Sequence, residues 1–593
     1  MMKSHFKFNV GFAIGLCLSL LVACAGNVSV SPTPPQTATT AAPVNTIEQS
    51  DRRLREQLLP QIAVQDALVP DYVADKVVVT ALEDPLPQLD DYPLYGAQPS
   101  ADAKTVYLEI FSSAEKANAE RRDERWLIDV AEAFNQQQQT VKSGEVIQVG
   151  IRNIPSGLGA QLIAAAAAKP AGYTPSNELW LQILKQRGTP FMPVNAALVP
   201  NSAGFVVESQ AYQALAAGGE VTFDRLLDAI LAGQLTLGYP NPYSSSSALN
   251  LLYTIFWQAA GHNKDGKPLT AADLQSPQIA SMFTAFQNQV LVTTQTTLDL
   301  KDIFLRDQQK LQAFPLDYQS YATLKQTPGF EQTGYVPFGV PHSSPLVSFK
   351  WNTPMQQEAL AKFAAFATAA PMQQAAKTLG FETTPYLSAK KFPPVPTGTV
   401  LESAQSFWKQ RKDGDRTVYM MLVIDTSGSM DGDRLDGVKK ALRLASGSIN
   451  AGNQVGLVTF GDAPVRRMKL APFNQLEQQR LLVAIDDLKA DGSTAMYDGL
   501  MVGVADLLEK QKADPNGRFS LMLLSDGEVT KGLQFAQVQE VLSGSGVRIY
   551  PIAYGEVNQQ ELQAIATLRE GSVYDGNPET VQRLLKDLFQ TNL

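Results

Sequence analysis

The carboxyl-terminal part of the chain alternates between short apolar runs and longer amphipathic segments. Val418 to Ile424 and Phe519 to Leu524 are almost wholly apolar, which is typical of strands that are buried on both faces. Segments with apolar residues at helical spacing follow them, for example Leu435 to Ser446. The pattern predicts a doubly wound, Rossmann-like α/β domain in residues 417–593, with a central, mostly parallel sheet covered by helices.

The same alternation occurs earlier in the chain. Val106 to Phe111 and Val146 to Ile151 have strand character, and a polar turn and a helical segment follow each of them. Strand, polar loop and helix in repetition indicate α/β construction. We therefore predict a second α/β domain over residues 104–392.

Three segments of this second domain resemble type 2 periplasmic solute-binding proteins. They are Tyr173 to Trp180, Leu237 to Leu249 and a closing helix from Glu358 to Gly380. The resemblance implies two α/β lobes that are joined by hinge strands and hold a small-molecule solute in the cleft between them.

Serines in the loops that follow strands are the candidate solute ligands. Backbone N–H groups at helix amino ends bind anions or polar solutes readily. The candidates are Ser112, Ser113, Ser156 and Ser176, together with the run Ser244 to Ser247. The alternative is that these serines are ordinary helix N-caps. Trp180 and Tyr318 are candidates for the wall of the cleft, although aromatic residues at such positions often belong to the core.

The two apolar runs of the carboxyl-terminal domain end in oxygen-bearing side chains. The first ends in Asp425, Ser427 and Ser429, the second ends in Asp526, and a glycine-containing loop between them carries Thr494. Loops at the carboxyl ends of parallel strands are where open α/β sheets bind ligands. Oxygen ligands are what a hard divalent cation prefers.

These five residues resemble the metal-ion-dependent adhesion site of the von Willebrand factor A domain. The resemblance implies that Ser427, Ser429 and Thr494 bind the metal, and that Asp425 and Asp526 act directly or through water. It also implies that an acidic side chain of a protein partner completes the coordination shell. We expect one divalent cation, Mg²⁺ before Mn²⁺ or Ca²⁺, since oxygen ligands suit all three.

The amino terminus has the features of an export signal. Lys3 and Lys7 precede an apolar stretch from Val10 to Val22 that is short for a membrane span. The segment Leu21-Val-Ala-Cys24 resembles a bacterial lipobox, which implies cleavage before Cys24 and attachment of a lipid to it. The alternative is a plain signal peptide. Cys17 and Cys24 are the only cysteines, so the mature chain would contain one thiol.

The resulting domain plan has five parts. Residues 1–23 are a lipoprotein signal peptide and residues 24–103 a tether and linker, which contains a helical segment from Ile47 to Leu68 and a short strand at Lys76 to Thr80. Residues 104–392 are the solute-binding-like domain, residues 393–416 a linker, and residues 417–593 the metal-site domain. The plan predicts an exported protein that is lipid-anchored at the cell envelope, in the outer membrane if the cell has two.

Composition excludes several classes of function. The chain of 593 residues has a formal net charge of −9 and 18% charged residues. An acidic chain argues against a nucleic-acid partner, which normally requires a basic patch. There are three histidines, and His262 and His342, the two outside the amino-terminal segment, fall in predicted loops. No nucleophile elbow, phosphate-binding loop or zinc-protease motif occurs, so we predict no enzyme activity.

Two functions remain open on the sequence. The first is adhesion or complex assembly, in which the cation binds an acidic side chain of another protein. The second is a lipid-anchored solute receptor for a transporter or sensor, with the carboxyl-terminal domain as a docking module.

Overall fold

The computed structural model describes residues 46–79, 86–100, 102–382, 392–526, 529–555, 559–568 and 572–593. The predicted signal peptide and Cys24 lie outside these residues. Among the residues described, no helix combines the length and the apolar character needed to cross a membrane.

In the part of the chain that the structure describes, the carboxyl-terminal sheet has seven strands. Five of them run parallel, and Pro464–Pro472 is antiparallel to its neighbour Gln454–Phe460. The strand order is Gln65–Asp66, Pro464–Pro472, Gln454–Phe460, Val418–Asp425, Arg518–Ser525, Arg548–Tyr554 and Tyr574–Gly576. The helices that cover it are Asp433–Ser446, Gln475–Asp486, Met496–Ala513, Phe535–Gly544, Gln559–Leu568 and Val581–Asn592. The predicted α/β class and the mostly parallel central sheet are confirmed.

Residues 86–381 form two lobes, each with its own sheet. The strands of the first-lobe sheet, in spatial order, are Leu94–Gly96, Val146–Asn153, Thr105–Ser112, Gly172–Thr174, Leu346–Phe349 and Phe191–Asn195. Those of the second-lobe sheet are Gly334–Pro337, Ala203–Val207, Ala313–Asp317, Leu237–Pro240 and Val290–Thr294. The chain passes from the first lobe to the second after Asn195 and returns before Leu346, so two segments join the lobes. This is the predicted bilobal arrangement.

Helices cover both lobe sheets. In the first lobe they are Ala114–Ala117, Trp126–Gln136, Ser156–Ala164, Leu179–Gln186, Pro354–Ala367 and Ala370–Thr378. In the second they are Ser209–Ala216, Phe223–Leu231, Ser246–Ala259, His262–Asp265, Pro277–Asn288, Thr297–Arg306 and Tyr318–Leu324. The closing helix predicted from Glu358 to Gly380 is two helices, because Pro371 lies in the first turn of the second and cannot continue the first.

Parts of the segment predicted as a linker pack against the carboxyl-terminal domain. Helix Ile47–Arg53 leads into Leu54 and Leu58, which are buried in the core of the carboxyl-terminal domain. Gln65–Asp66 then adds a parallel strand to the edge strand Pro464–Pro472. Residues 77–79 of the strand expected at Lys76 to Thr80 are not in a strand, and Thr80 lies outside the described residues. The local sequence pattern did not predict this packing, because the residues that the segment packs against lie some four hundred positions later in the chain.

The second predicted linker, 393–416, contains the helix Gly398–Arg411, which is part of the folded body. Trp408 is fully buried, and its Nε1–H donates a hydrogen bond of 2.7 Å to the Tyr239 hydroxyl of the second lobe. Arg187 of the first lobe forms an ion pair with Glu402. The helix therefore contacts both lobes.

Candidate functional site

Asp425 ends the strand Val418–Asp425 at the carboxyl edge of its sheet. The neighbouring strand is in parallel register, with Ile424 opposite Leu524, and this brings Ser525 beside Asp425. The Ser427 N–H donates to Asp425 Oδ1 at 2.8 Å, and the Ser525 hydroxyl donates to Oδ2 at 2.7 Å. Burial raises the pKa of Asp425, which has no exposed surface. These two donors hold its carboxylate in one orientation.

Two serines and the second aspartate continue the cluster. The Ser429 hydroxyl donates to Asp526 Oδ1 at 2.8 Å, and it lies 3.1 Å from the Ser427 hydroxyl oxygen. Ser427 and Asp526 are buried, whereas Ser429 is exposed. The structure thus brings four of the five predicted metal-site residues into one hydrogen-bonded group that faces solvent at Ser429.

The loop of Thr494 lies against the same group. The Gly428 N–H donates to Gly492 O at 2.9 Å, and the Thr494 N–H donates to the Thr530 hydroxyl at 2.9 Å. Gly492 has a φ of +81°, and a β-carbon there would lie 2.8 Å from Asp462 Cγ, so the turn requires glycine. Within the described residues, no hydrogen bond joins the Thr494 hydroxyl to the other four residues. The loop of Thr494 is therefore hydrogen-bonded to the loop of Ser427 and Ser429, while the Thr494 hydroxyl is outside the hydrogen-bonded group.

Arg434 is a member of this site that the sequence analysis missed. Its guanidinium forms an ion pair with Asp526 Oδ2, the oxygen that Ser429 does not use. The residue follows the metal-site motif by one short turn, at the start of helix Asp433–Ser446. The sequence does contain a signal for it. A positively charged arginine follows closely after a motif whose other members are acidic or neutral.

The cleft between the two lobes contains a cavity of about 100 Å³. Ser113, Ser156 and Ser176 line it, and Ser112 does not. The Ser176 hydroxyl donates to Ser113 Oγ at 3.1 Å, and the Ser176 N–H donates to Ser156 Oγ at 3.3 Å. Neither Ser113 nor Ser156 caps a helix with its side chain. The predicted serine run also lines the cavity, and Ser245 in it is a true N-cap.

Trp180 is part of the core, and it forms a hydrogen bond between the two lobes. Its Nε1–H donates to Ser246 Oγ at 2.9 Å, while the Gly157 N–H donates to Ser244 O at 3.0 Å. Both bonds join the first lobe to the second. The lobes are therefore in contact along this side of the cleft.

Acidic residues of the cleft were not predicted. Glu115, Glu124 and Asp317 line the cavity. The buried Lys116 ammonium donates to Glu115 Oε1 at 3.0 Å, and Asp317 Oδ1 lies 2.7 Å from His342 Nδ1. Glu124 is 1% exposed, and no hydrogen bond reaches its Oε1. Burial raises the pKa of Glu124 to about 7.

Comparison with known families bears directly on the carboxyl-terminal domain. Residues 420–589 match the family model of the von Willebrand factor type A domain. This part of the chain is a von Willebrand factor type A domain. The match begins inside the strand that ends at Asp425 and includes all five predicted metal-site residues.

Each similar protein aligns with only part of this chain. An uncharacterized protein from Synechocystis sp. is 31% identical over 186 residues, which are 30% of this chain and 43% of that protein. A von Willebrand factor type A structure from Catenulispora acidiphila has 20% identity and a TM-score of 0.27, and covers 30% of this chain and 42% of its own. The sulfate-binding protein SubI from Mycobacterium tuberculosis has 17% identity and a TM-score of 0.34, and covers 50% of this chain and 96% of its own. This chain therefore spans less than half the length of the Synechocystis relative.

The residues of the von Willebrand factor type A domain fit a divalent cation. Every candidate donor is a carboxylate or hydroxyl oxygen, which are hard ligands. Within the described residues there is no cluster of three or more His, Cys, Asp or Glu side chains, so this centre would rely on hydroxyl groups beside its two carboxylates. Asp425, Ser427, Ser429 and Asp526 would hold the ion, with Thr494 at the border.

Proposed function

We propose that this protein binds an acidic side chain of a protein partner through a divalent cation, most simply Mg²⁺, held by the von Willebrand factor type A domain. The observation that supports this most is the grouping of Ser427, Ser429 and Asp526 around the buried Asp425. A cation with two carboxylate neighbours retains enough field to attract one more anionic oxygen. The exposure of Ser429 leaves one side of the group open to such an oxygen.

The proposal includes a cell-envelope location. Export and lipid attachment at Cys24 would hold the binding domain at a membrane surface, where adhesion or complex assembly takes place. Mass spectrometry of the amino-terminal peptide of the protein from its native host tests this part. A diacylglycerol-modified Cys24 supports it, and an unmodified peptide that begins elsewhere contradicts it.

The test of the binding function uses the immobilised full chain and proteins from the host envelope. Capture of a defined partner should require Mg²⁺ and be lost with EDTA. Asp425→Ala should also lose it, while Asp431→Ala, an exposed aspartate six residues away, should retain it. Circular dichroism of both variants controls for folding. The proposal would be refuted if the partner is captured equally well with EDTA and by Asp425→Ala.

A solute receptor is the second candidate function, and a specific observation favours it. Glu124 has a carboxylate oxygen without a hydrogen-bond partner, and it lines a cavity that many serine and threonine residues also line. A polar solute with a hydrogen-bond donor would satisfy that oxygen. Such a solute should raise the melting temperature of the full chain, the rise should survive Asp425→Ala, and Glu124→Gln should reduce it. A broad polar-solute library that shifts no melting transition contradicts this candidate.

We also propose that the protein is not an enzyme. The two histidines that the structure describes hold structural contacts. His262 bridges Asp265 and Asp273, and the buried His342 contacts Asp317 and Asn177. Hydrolysis of generic ester and phosphoester substrates by the purified chain would contradict this.

A further inference from the structure

Three arginines lie side by side at the amino edge of the carboxyl-terminal sheet. Arg518 and Arg548 are the first residues of their strands, and Arg416 precedes Val418 by two residues. The parallel register pairs Val418 with Arg518 and Ser520 with Arg548, so the three arginines follow one another across neighbouring strands. This edge is opposite the one that holds Asp425.

Part of their role is to attach the second lobe to this sheet. Nη2 of Arg416 donates to Gln287 O at 2.7 Å, and Nη2 of Arg518 donates to the same oxygen at 3.0 Å. Nη2 of Arg548 donates to Leu291 O at 2.6 Å. Gln287 lies in the last turn of helix Pro277–Asn288, whose free carbonyl groups attract positive charge. The guanidinium groups therefore bind a helix carboxyl end.

Carbonyl groups do not neutralise the positive charges of Arg416 and Arg518. Within the described part of the chain, no carboxylate lies at ion-pair distance from Arg416 or Arg518, and the buried Nε of each has no hydrogen-bond acceptor. Asp413 acts on both electrostatically, but its Oδ1 lies 2.7 Å from Lys412 Nζ and its Oδ2 accepts from Asn450. Burial, together with the charges of the other two arginines, lowers the pKa of Arg416 to about 9. A buried donor and an uncompensated charge are both costly.

The arginines border a cavity that no described aspartate or glutamate lines. It has a volume of about 210 Å³, and its lining includes Arg416, Arg518 and Arg548. Ser520 and Asn592 supply further polar groups, and no aspartate or glutamate is among the lining residues. The cavity lies between the von Willebrand factor type A domain and the second lobe, since Val290 and Leu291 of that lobe also line it.

We propose that this cavity is a binding site for a phosphate-type oxyanion, which bridges the guanidinium groups and strengthens the attachment of the second lobe to the von Willebrand factor type A domain. The planar fork of a guanidinium matches the spacing of phosphate oxygens. The anion supplies negative charge at hydrogen-bond distance from Arg416 and Arg518, where no carboxylate of the described residues lies. The site is independent of the cation site and of the solute cleft, and it stands whether or not the proposed function does.

The test is calorimetric titration of the full chain with inorganic phosphate, with chloride at equal ionic strength as the reference. We expect saturable binding and a rise in melting temperature. Arg416→Lys keeps the charge but removes the Nε donor and the fork, so it should weaken phosphate binding about tenfold. Arg443→Lys, on the surface helix Asp433–Ser446, should bind as the wild type does.

Other outcomes separate this site from the cleft. The proposal would be overturned if Arg416→Lys binds phosphate as tightly as the wild type does, or if only Glu124→Gln abolishes binding. It would also be overturned if the wild type binds no phosphate. If Arg416→Lys does not fold, a wild-type crystal soaked in tungstate decides the matter. Density between Arg416 and Arg518 supports the proposal, and density confined to other places contradicts it.

Discussion

The Ser429 hydroxyl donates a hydrogen bond to Asp526 Oδ1 at 2.8 Å, although the two residues are 97 positions apart in the chain. The parallel register of the strands that end at Asp425 and Ser525 is what brings them together. Two loops that follow different strands thus share one polar group. A cation that binds between these oxygens would hold both loops at once.

Arg434 should oppose cation binding. Its guanidinium pairs with Asp526 Oδ2, and its positive charge lies beside the proposed ion. Arg434→Gln should therefore raise the affinity for Mn²⁺ about fivefold, or about 1 kcal/mol, since the side chain is 41% exposed and solvent screens its charge. Arg443→Gln, on the same helix, is the control. Titration of the two variants checks this, and an unchanged or lower affinity for Arg434→Gln would mean that the arginine supports the site.

The segment before residue 66 should stabilise the von Willebrand factor type A domain. Leu54 has no exposed surface and belongs to the same hydrophobic core as Tyr419 and Leu508 of that domain. Leu54→Ala should lower the free energy of unfolding by about 2–5 kcal/mol, because it leaves a cavity. Urea unfolding measures this change, and Leu68→Ala, at an exposed leucine just after the segment, is the control. Equal stability of the two variants would show that the segment does not belong to the folded core.

Glu124 should make stability depend on pH. Burial raises the pKa of its carboxyl group from 4.5 to about 7 in the folded chain, so the stability it contributes is fully present below about pH 4.5. That contribution is lost as the pH rises through about 7. Glu124→Gln should therefore gain stability relative to the wild type over this window, by up to about 3 kcal/mol.

Urea unfolding of both chains at about pH 5 and about pH 7.5 checks the effect of Glu124. The exposed Glu120→Gln serves as the control. A difference between wild type and Glu124→Gln that is the same at both pH values would contradict the assignment.

Local pattern was sufficient for the central strands of the carboxyl-terminal domain. The strands there are nearly continuous apolar runs, and Asp425, Ser427 and Ser429 follow directly on one of them. Because parallel strands end at the same edge of a sheet, the position of Asp526 followed from the same argument. The positions of these oxygen donors at the ends of predicted strands were therefore enough to predict that they lie close together in the fold.

Features that depend on distant partners were not predictable in this way. Leu54 and Gln65 pack on residues some four hundred positions later, and nothing in their own sequence indicates it. Glu124 was overlooked because it lies in a highly charged stretch of sequence, which gives no sign that it is buried. The arginine cavity arises from three strand starts and one helix end, which come together only in the folded chain.

The most direct measurement is Mn²⁺ titration of the full chain by calorimetry, with electron paramagnetic resonance to count bound ions. We expect one ion per chain, displaced by Mg²⁺, with binding lost in Asp425→Ala, weakened in Ser429→Ala and unchanged in Asp431→Ala. Equal Mn²⁺ binding by the wild type and folded Asp425→Ala, or none by the wild type, would contradict a cation site at these residues.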